Sequence, residues 1–215
     1  MRLLFFIITL GLYALNMQAQ VLKQQGDFVG HIVPQGWEHA EAEGDLNKDG
    51  IKDLVLLAKP NFSENMKTRD DGYVYNFNRE ILAIYFGQED GAFKLWKQYK
   101  ELFPASDEWC SVDISIDITD RGTLKIDTQI FAVAGSYGTD NSSYIYRYQD
   151  GDFYLIGKER SSMMRNTGEM ETISENYLTW KRQTIKDNAF EDGHKRESWS
   201  KMKKKPLEKL GNHEL

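Results

Sequence analysis

A short acidic segment carries the oxygen atoms that a metal ion needs. Side-chain oxygens occur at positions 1, 3, 5 and 9 of this segment, on Asp45, Asn47, Asp49 and Asp53. Alternate side chains of a tight loop can point inward together, and Gly50 at position 6 permits the sharp bend. Ile51 at position 7 would offer its backbone carbonyl, while Lys48 and Lys52 can point outward. Three carboxylates and one amide are hard oxygen donors, so the spacing predicts a Ca²⁺ site.

The surroundings of this loop differ from those of a helix–loop–helix calcium sensor. An EF-hand needs a bidentate Glu at position 12 and a helix on each side, but position 12 is Leu56. A cellulosome-type dockerin is also disfavoured, because it carries this loop twice and a helix follows each copy. Ile51–Ala58 is instead rich in β-branched and apolar residues, which predicts a strand. We therefore expect a calcium loop between two strands, with a structural role for the ion.

The segment from Gly44 to Val55 resembles the calcium loop of FG-GAP and VCBS-type repeats. In that family such loops lie between β-strands, as in the α-chain propellers of integrins. The resemblance implies the ligand set Asp45, Asn47, Asp49, the Ile51 carbonyl and Asp53. It implies no enzymatic activity.

The resemblance extends more softly along the chain. Phe153–Gly157, Asn166–Met170 and Asn176–Thr179 look like segments of a group of uncharacterised exported bacterial β-proteins that carry one such loop. A propeller needs several blades, and only one full loop is present. The resemblance therefore implies an exported β-protein rather than a complete propeller.

Short alternating runs separated by turn residues dominate the rest of the chain. Asp120-Arg121-Gly122 and the Asp150-Gly151 pair are turn signals, and the second one predicts a tight hairpin. About nine or ten strands emerge, without a helical period of useful length. The strand-like runs are Ile51–Ala58, Ile81–Phe86, Ala92–Tyr99, Ser111–Thr119, Leu124–Ile130, Tyr144–Tyr148, Phe153–Gly157, Tyr177–Ile185 and Arg196–Met202.

This pattern predicts an all-β, mainly antiparallel fold. We expect a single-domain sandwich or barrel-like sheet with one inter-strand calcium loop. Two stretches, Pro60–Asn78 and Ala134–Ser143, are polar or glycine-rich and are predicted to be irregular. No linker or shift in composition divides the chain.

The first nineteen residues differ from the rest. Arg2 is followed by an apolar run that ends near Asn16, which is too short for a membrane span and typical of a signal peptide. We predict a signal peptide at 1–19, a single β-rich domain at 20–215, and export to the periplasm or the extracellular space. We expect no stable membrane insertion of the mature chain. Cys110 is the single cysteine of the sequence, so we expect no internal disulfide.

Charge narrows the range of partners. The 215 residues carry 27 Lys and Arg against 33 Asp and Glu, a net charge of −6, which disfavours nucleic acid as a partner. The sequence contains no recognisable catalytic or organic-cofactor motif. We therefore expect an exported, non-enzymatic, calcium-stabilised binding protein with either a protein or a glycan ligand.

Two other functions stay open. The first is a periplasmic inhibitor or toxin-immunity protein, which an acidic, compact domain would suit. The second is a glycan-acting hydrolase, for which Asp113, Asp117 and Asp127 are the candidate carboxylates. The simpler interpretation of these three is the solvated face of amphipathic strands, and their position on an open sheet would argue against catalysis.

Overall fold

The computed structural model describes residues 21–132 and 136–215. In these ranges the chain forms fourteen strands, one four-residue helix and one 3₁₀ turn at Ser63–Asn65. In chain order the elements are β1 Gln25–Gly26, α1 Val29–Ile32, β2 Glu38–Gly44, β3 Asp53–Lys59, β4 Met66–Thr68, β5 Val74–Asn76, β6 Ile81–Gly87, β7 Phe93–Tyr99, β8 Cys110–Ile118, β9 Leu124–Ala132, β10 Gly138–Gln149, β11 Asp152–Met164, β12 Glu169–Asn176, β13 Lys181–Asn188 and β14 Arg196–Lys201.

Three sequence predictions fall on positions outside these ranges. The predicted signal peptide, 1–19, and the first position of the predicted domain, residue 20, lie outside the described residues. So do the first two residues of the predicted loop Ala134–Ser143. Within 21–132 and 136–215, no helix has the length and apolar character needed to cross a membrane.

The strands form two large sheets and one small hairpin, and the paired strands are antiparallel. One sheet has five strands in the order β1-β7-β6-β3-β2, and the other has seven in the order β14-β13-β12-β11-β10-β9-β8. Strands β4 and β5 form the hairpin. The predicted all-β, mainly antiparallel fold is confirmed.

The five-stranded sheet is covered on both faces. On one face Val55, Leu57 and Ile84 pack into the core shared with the second sheet. On the other face Leu54 and Leu56 belong to a separate cluster, whose remaining buried members are Leu22, Ile32, Val33, Trp37, Ala58, Ile81, Ala83 and Tyr85. Strands buried on both faces require continuous apolar runs, which explains why β3 and β6 lack alternation.

The seven-stranded sheet alternates instead. Leu124, Ile126 and Tyr146 face the shared core, each with less than a tenth of its surface exposed. The intervening residues of these strands face away from the core. The register of β10 against β11 shifts between Ile145 and Tyr146, and a bulge of this kind bends the strand and increases its twist. The sheet curls as a half-barrel, with the core on one side and an open face on the other.

The structure corrects the two predicted irregular stretches. Pro60–Asn78 contains β4 and β5, whose short polar strands gave no alternating apolar signal. Ala134–Ser143 overlaps β10, which already begins at Gly138 and pairs there with Met164. The polar residues from 139 to 143 form a strand because they pair with β9 on one side and with β11 on the other.

Candidate functional site

The predicted calcium loop lies between two strands, as expected. Gly44 and Asp53 form the last pair of the β2–β3 hairpin, so residues 45–52 form its loop. Gly50 has a φ of 86°, which confirms that the bend uses the left-handed region that glycine tolerates. Lys48 also has a positive φ, 68°, a strained conformation that the sequence did not indicate. Leu56, at position 12, is fully buried in β3.

Three of the predicted ligands fold onto the same turn. Asp45 accepts the backbone N–H of Lys48 at 2.7 Å through Oδ1 and that of Gly50 at 3.1 Å through Oδ2. Asn47 accepts the N–H of Asp49 at 3.0 Å and donates its amide to Asp49 Oδ2 at 2.8 Å. These contacts bring the side chains at positions 1, 3 and 5 to one side of the loop.

Asp49 completes this arrangement. Its Oδ1 accepts the N–H of Ile51 at 2.8 Å. Each ionised carboxylate has about four lone-pair positions, so one accepted N–H per oxygen leaves capacity for a cation. The oxygen donors of this turn therefore fit Ca²⁺, provided that the Asn47 amide turns its oxygen toward the ion.

Asp53 has a different environment. Its side chain is buried, and Oδ2 accepts the N–H groups of Leu46 at 2.8 Å and Asn47 at 3.2 Å. Oδ1 accepts the N–H of Gly87, at the end of β6, at 3.0 Å. Burial raises the pKa of Asp53, although these N–H groups oppose the shift. Asp53 thus fastens both ends of the loop to the neighbouring strand.

Within 21–132 and 136–215, no three His, Cys, Asp or Glu side chains come together as a group that could hold a metal. Asp53 is engaged by backbone N–H groups, whereas Asp45, Asn47 and Asp49 interact around the outer turn. The ligand set, including the Ile51 carbonyl, therefore stays a prediction.

The loop also touches the second sheet, which the sequence did not indicate. Lys48 Nζ donates to the carbonyl of Arg121, in the turn between β8 and β9, at 2.7 Å. A Cβ atom on Gly122 would lie 2.3 Å from the Asp45 carbonyl and 2.2 Å from Lys48 Nζ. A Cβ on Gly44 would lie 2.6 Å from Ile118. The loop therefore sits at a junction where the two sheets meet.

A second candidate site is the open face of the seven-stranded sheet. The strand register aligns one residue from every strand in a single row: Ser115, Asp127, Ser143, Glu159, Ser174, Gln183 and Trp199. We call the face that carries this row the polar face. It lines a cavity of about 870 Å³ that extends over all seven strands.

The three carboxylates noted in the sequence lie on the polar face. Asp113 and Asp117 pair across the sheet with Gln129 and Lys125, on either side of the Ser115–Asp127 pair. Asp113 and Asp117 are exposed, and Asp127 is ion-paired with the ammonium group of Lys125 at 2.8 Å. These carboxylates occupy an open sheet rather than a closed pocket.

Strands β10 and β11 form a hairpin that carries four tyrosines, and Cys110 begins β8. Tyr144 and Tyr146 are buried in the shared core, so they pack between the sheets. Asp150 and Gly151 both have positive φ in a two-residue turn, which confirms the predicted hairpin. Burial raises the pKa of the Cys110 thiol, with a further contribution from the Asp107 carboxylate.

Comparisons with known proteins leave the family open. No protein-family model, no curated protein and no solved structure matches this chain.

Proposed function

We propose that this protein is an exported, non-enzymatic, calcium-stabilised binding protein that acts in the periplasm or outside the cell. The observation that supports a binding role is the polar face, with its 870 Å³ cavity over seven strands. The opposite face of the same sheet packs into the core. A rigid sheet with one face free is a suitable platform for a ligand.

Calcium has a structural role in this proposal. The FG-GAP/VCBS-like ligand set is Asp45, Asn47, Asp49, the Ile51 carbonyl and Asp53. Their loop contacts β6 through Gly87 and the β8–β9 turn through Arg121. An ion bound there would offset part of the negative charge of the loop carboxylates and strengthen the contact between the two sheets.

Open exposure makes the hydrolase alternative less suitable. Acid–base catalysis on glycans uses two carboxyl groups on either side of one bond, and one of them needs a pKa raised by its surroundings. Asp113 and Asp117 are exposed, and Asp127 is paired with Lys125. A binding role requires neither a pair of carboxyl groups on either side of one bond nor a carboxyl group with a raised pKa.

Thermal unfolding with and without calcium tests the proposed role of the loop. Extracellular calcium modules bind with dissociation constants of about 10⁻⁴–10⁻³ M. In about 10 mM CaCl₂, mass action then adds about 1–3 kcal/mol of stability relative to EDTA, which raises Tm by several degrees. Asp49→Ala should abolish this shift, and an unchanged Tm in the parent protein would contradict the proposal.

Asp90→Ala is the matched control. Asp90 precedes Gly91, which has a φ of 84°, as Asp49 precedes Gly50. Its Oδ1 accepts the N–H of Ala92 at 3.0 Å, the same i to i+2 contact that Asp49 makes. This variant loses the same kind of hydrogen bond, so it should keep the full calcium response.

A further inference from the structure

We infer that the polar face binds a neutral oligosaccharide. This inference rests on the proposed binding role and adds the chemical class of the ligand.

The polar face presents hydrogen-bonding groups that no described residue uses. The side chains of Gln129, Asn141, Ser143 and Ser161 line the cavity and make no hydrogen bond to any described residue. Amides and hydroxyls each offer both donors and acceptors. Sugar hydroxyl groups also donate and accept, so this mixture complements a polyhydroxylated ligand.

The charge of the cavity favours a neutral ligand. Four carboxylates and three ammonium groups line it, giving a net charge of −1 (3 − 4). One of these pairs is internally neutralised, because Lys125 Nζ lies 2.8 Å from Asp127 Oδ2. The whole chain is acidic as well, with a net charge of −6. Phosphorylated or sulfated polymers would meet net repulsion here.

An exposed tryptophan stands at one wall of the cavity. Trp199 on β14 is 62% exposed, and its indole N–H donates to Glu197 Oε1 at 2.7 Å. The same oxygen accepts the amide of Gln183 at 2.9 Å. The ring is thus oriented by polar contacts without being buried, which leaves its flat apolar surface for stacking against the C–H face of a sugar.

The composition of the cavity disfavours a protein partner. The centre of a protein interface is usually apolar and depleted in charge. Ile114, Ile145 and Trp199 are the large apolar residues of this cavity, and most of the other lining residues are polar or charged. Seven strands spaced about 4.8 Å apart extend over about 29 Å. This length provides room for several sugar units and suits an oligosaccharide better than a single sugar.

Isothermal titration with defined probes tests the inference. The probes are neutral hexasaccharides from cellulose, xylan, mannan and chitin, with heparin and an unstructured peptide as comparisons. We expect at least one neutral hexasaccharide to bind the full protein. Trp199→Ala should weaken this binding about tenfold, and Asn141→Ala should weaken it less.

Trp109→Ala controls for the loss of an exposed indole. Trp109 is 64% exposed but does not line the cavity, so its replacement should leave affinity unchanged. Equal affinity of the Trp199 and Trp109 variants would overturn the inference, as would binding of heparin or the peptide alone, or of none of the probes.

The failure of the inference and of the proposed function can be separated. Unchanged melting in calcium would contradict the calcium role, whatever the sugar titrations show. Peptide or heparin binding that depends on Trp199 would preserve a binding function on the polar face while overturning the oligosaccharide. Titrations in both calcium and EDTA distinguish these outcomes.

Discussion

The two sheets of this protein differ in how many of their faces are covered. In β3 of the five-stranded sheet, every residue from 53 to 58 is buried. In β8 of the seven-stranded sheet, exposed Asp113, Ser115 and Asp117 alternate with Val112, Ile114 and Ile116. The first sheet therefore serves packing on both sides, whereas the second separates packing from the surface available to a ligand.

The predicted calcium loop, residues 45–52, lies where the two sheets meet. It begins at the end of β2, fastens to β6 through Asp53, and contacts the β8–β9 turn through Lys48. A change in the loop can therefore alter the alignment of the open sheet with the covered one.

The largest effect should come from truncating the covered sheet on either face. Leu56 and Leu57 point to opposite sides of β3, and both are buried. Leu56→Ala and Leu57→Ala should each lower the free energy of unfolding by about 2–5 kcal/mol in urea denaturation. On the open sheet, Gln129→Ala should change it by less than about 0.5 kcal/mol. A comparable loss at Gln129 would erase the distinction between the sheets.

The next-largest loss of stability is expected where the loop at residues 45–52 contacts the β8–β9 turn. Gly122 and Gly91 both have positive φ, so alanine is strained at either position. Only at Gly122 would the added Cβ meet Asp45 and Lys48, because nothing lies within 4 Å at Gly91. Gly122→Ala should therefore cost about 1–3 kcal/mol more than Gly91→Ala. Equal costs, measured by chemical denaturation, would show that the loop does not depend on this contact.

The smallest effect is expected at Glu175, a partly buried carboxylate that lines the cavity of the seven-stranded sheet. Burial alone would raise the pKa of Glu175, but hydrogen bonds from the Tyr177 hydroxyl and the Arg182 guanidinium lower it below its usual value of 4.5. A lowered carboxyl pKa contributes stability above pH 4.5 that is lost as the pH falls through the folded-state value.

Glu175→Gln should therefore cost about 1 kcal/mol at neutral pH, and this difference from the parent should shrink as the solution is acidified. Denaturation at a series of pH values measures it. Glu64→Gln is the control, because Glu64 is exposed and pairs with no described cation. A difference that stays constant with pH would exclude the ionised hydrogen-bond network as its cause.

Much of the fold could be predicted because its signals are local. Continuous apolar runs identified β3 and β6, alternation identified β8 and β9, and the Asp150-Gly151 pair identified a two-residue hairpin turn. Strand β12 was missed because its polar residues carry no strong apolar period. Its position is fixed by pairing with β11 and β13, which a single segment cannot reveal.

Within the candidate sites, too, some features could be predicted from local sequence and others depend on distant parts of the chain. The spacing from Asp45 to Asp49 indicates the outer turn of the loop, since the hydrogen bonds of the Asp45, Asn47 and Asp49 side chains are all local. The backbone partner of Asp53, Gly87, lies 34 residues away, and the Lys48–Arg121 contact spans 73 residues. The row across the polar face likewise depends on the register of seven strands. These contacts and this row depend on pairing between distant parts of the chain, so the spacing of residues within one segment could not predict them.

A calorimetric titration of CaCl₂ into the EDTA-treated and dialysed protein tests most directly whether the loop at residues 45–53 binds calcium. We predict one site with a dissociation constant of about 10⁻⁴–10⁻³ M. Binding should be lost in Asp49→Ala and retained in Asp90→Ala. The absence of calcium-dependent heat in the parent, or the same isotherm for the parent and Asp49→Ala, would contradict a calcium ion held in this loop.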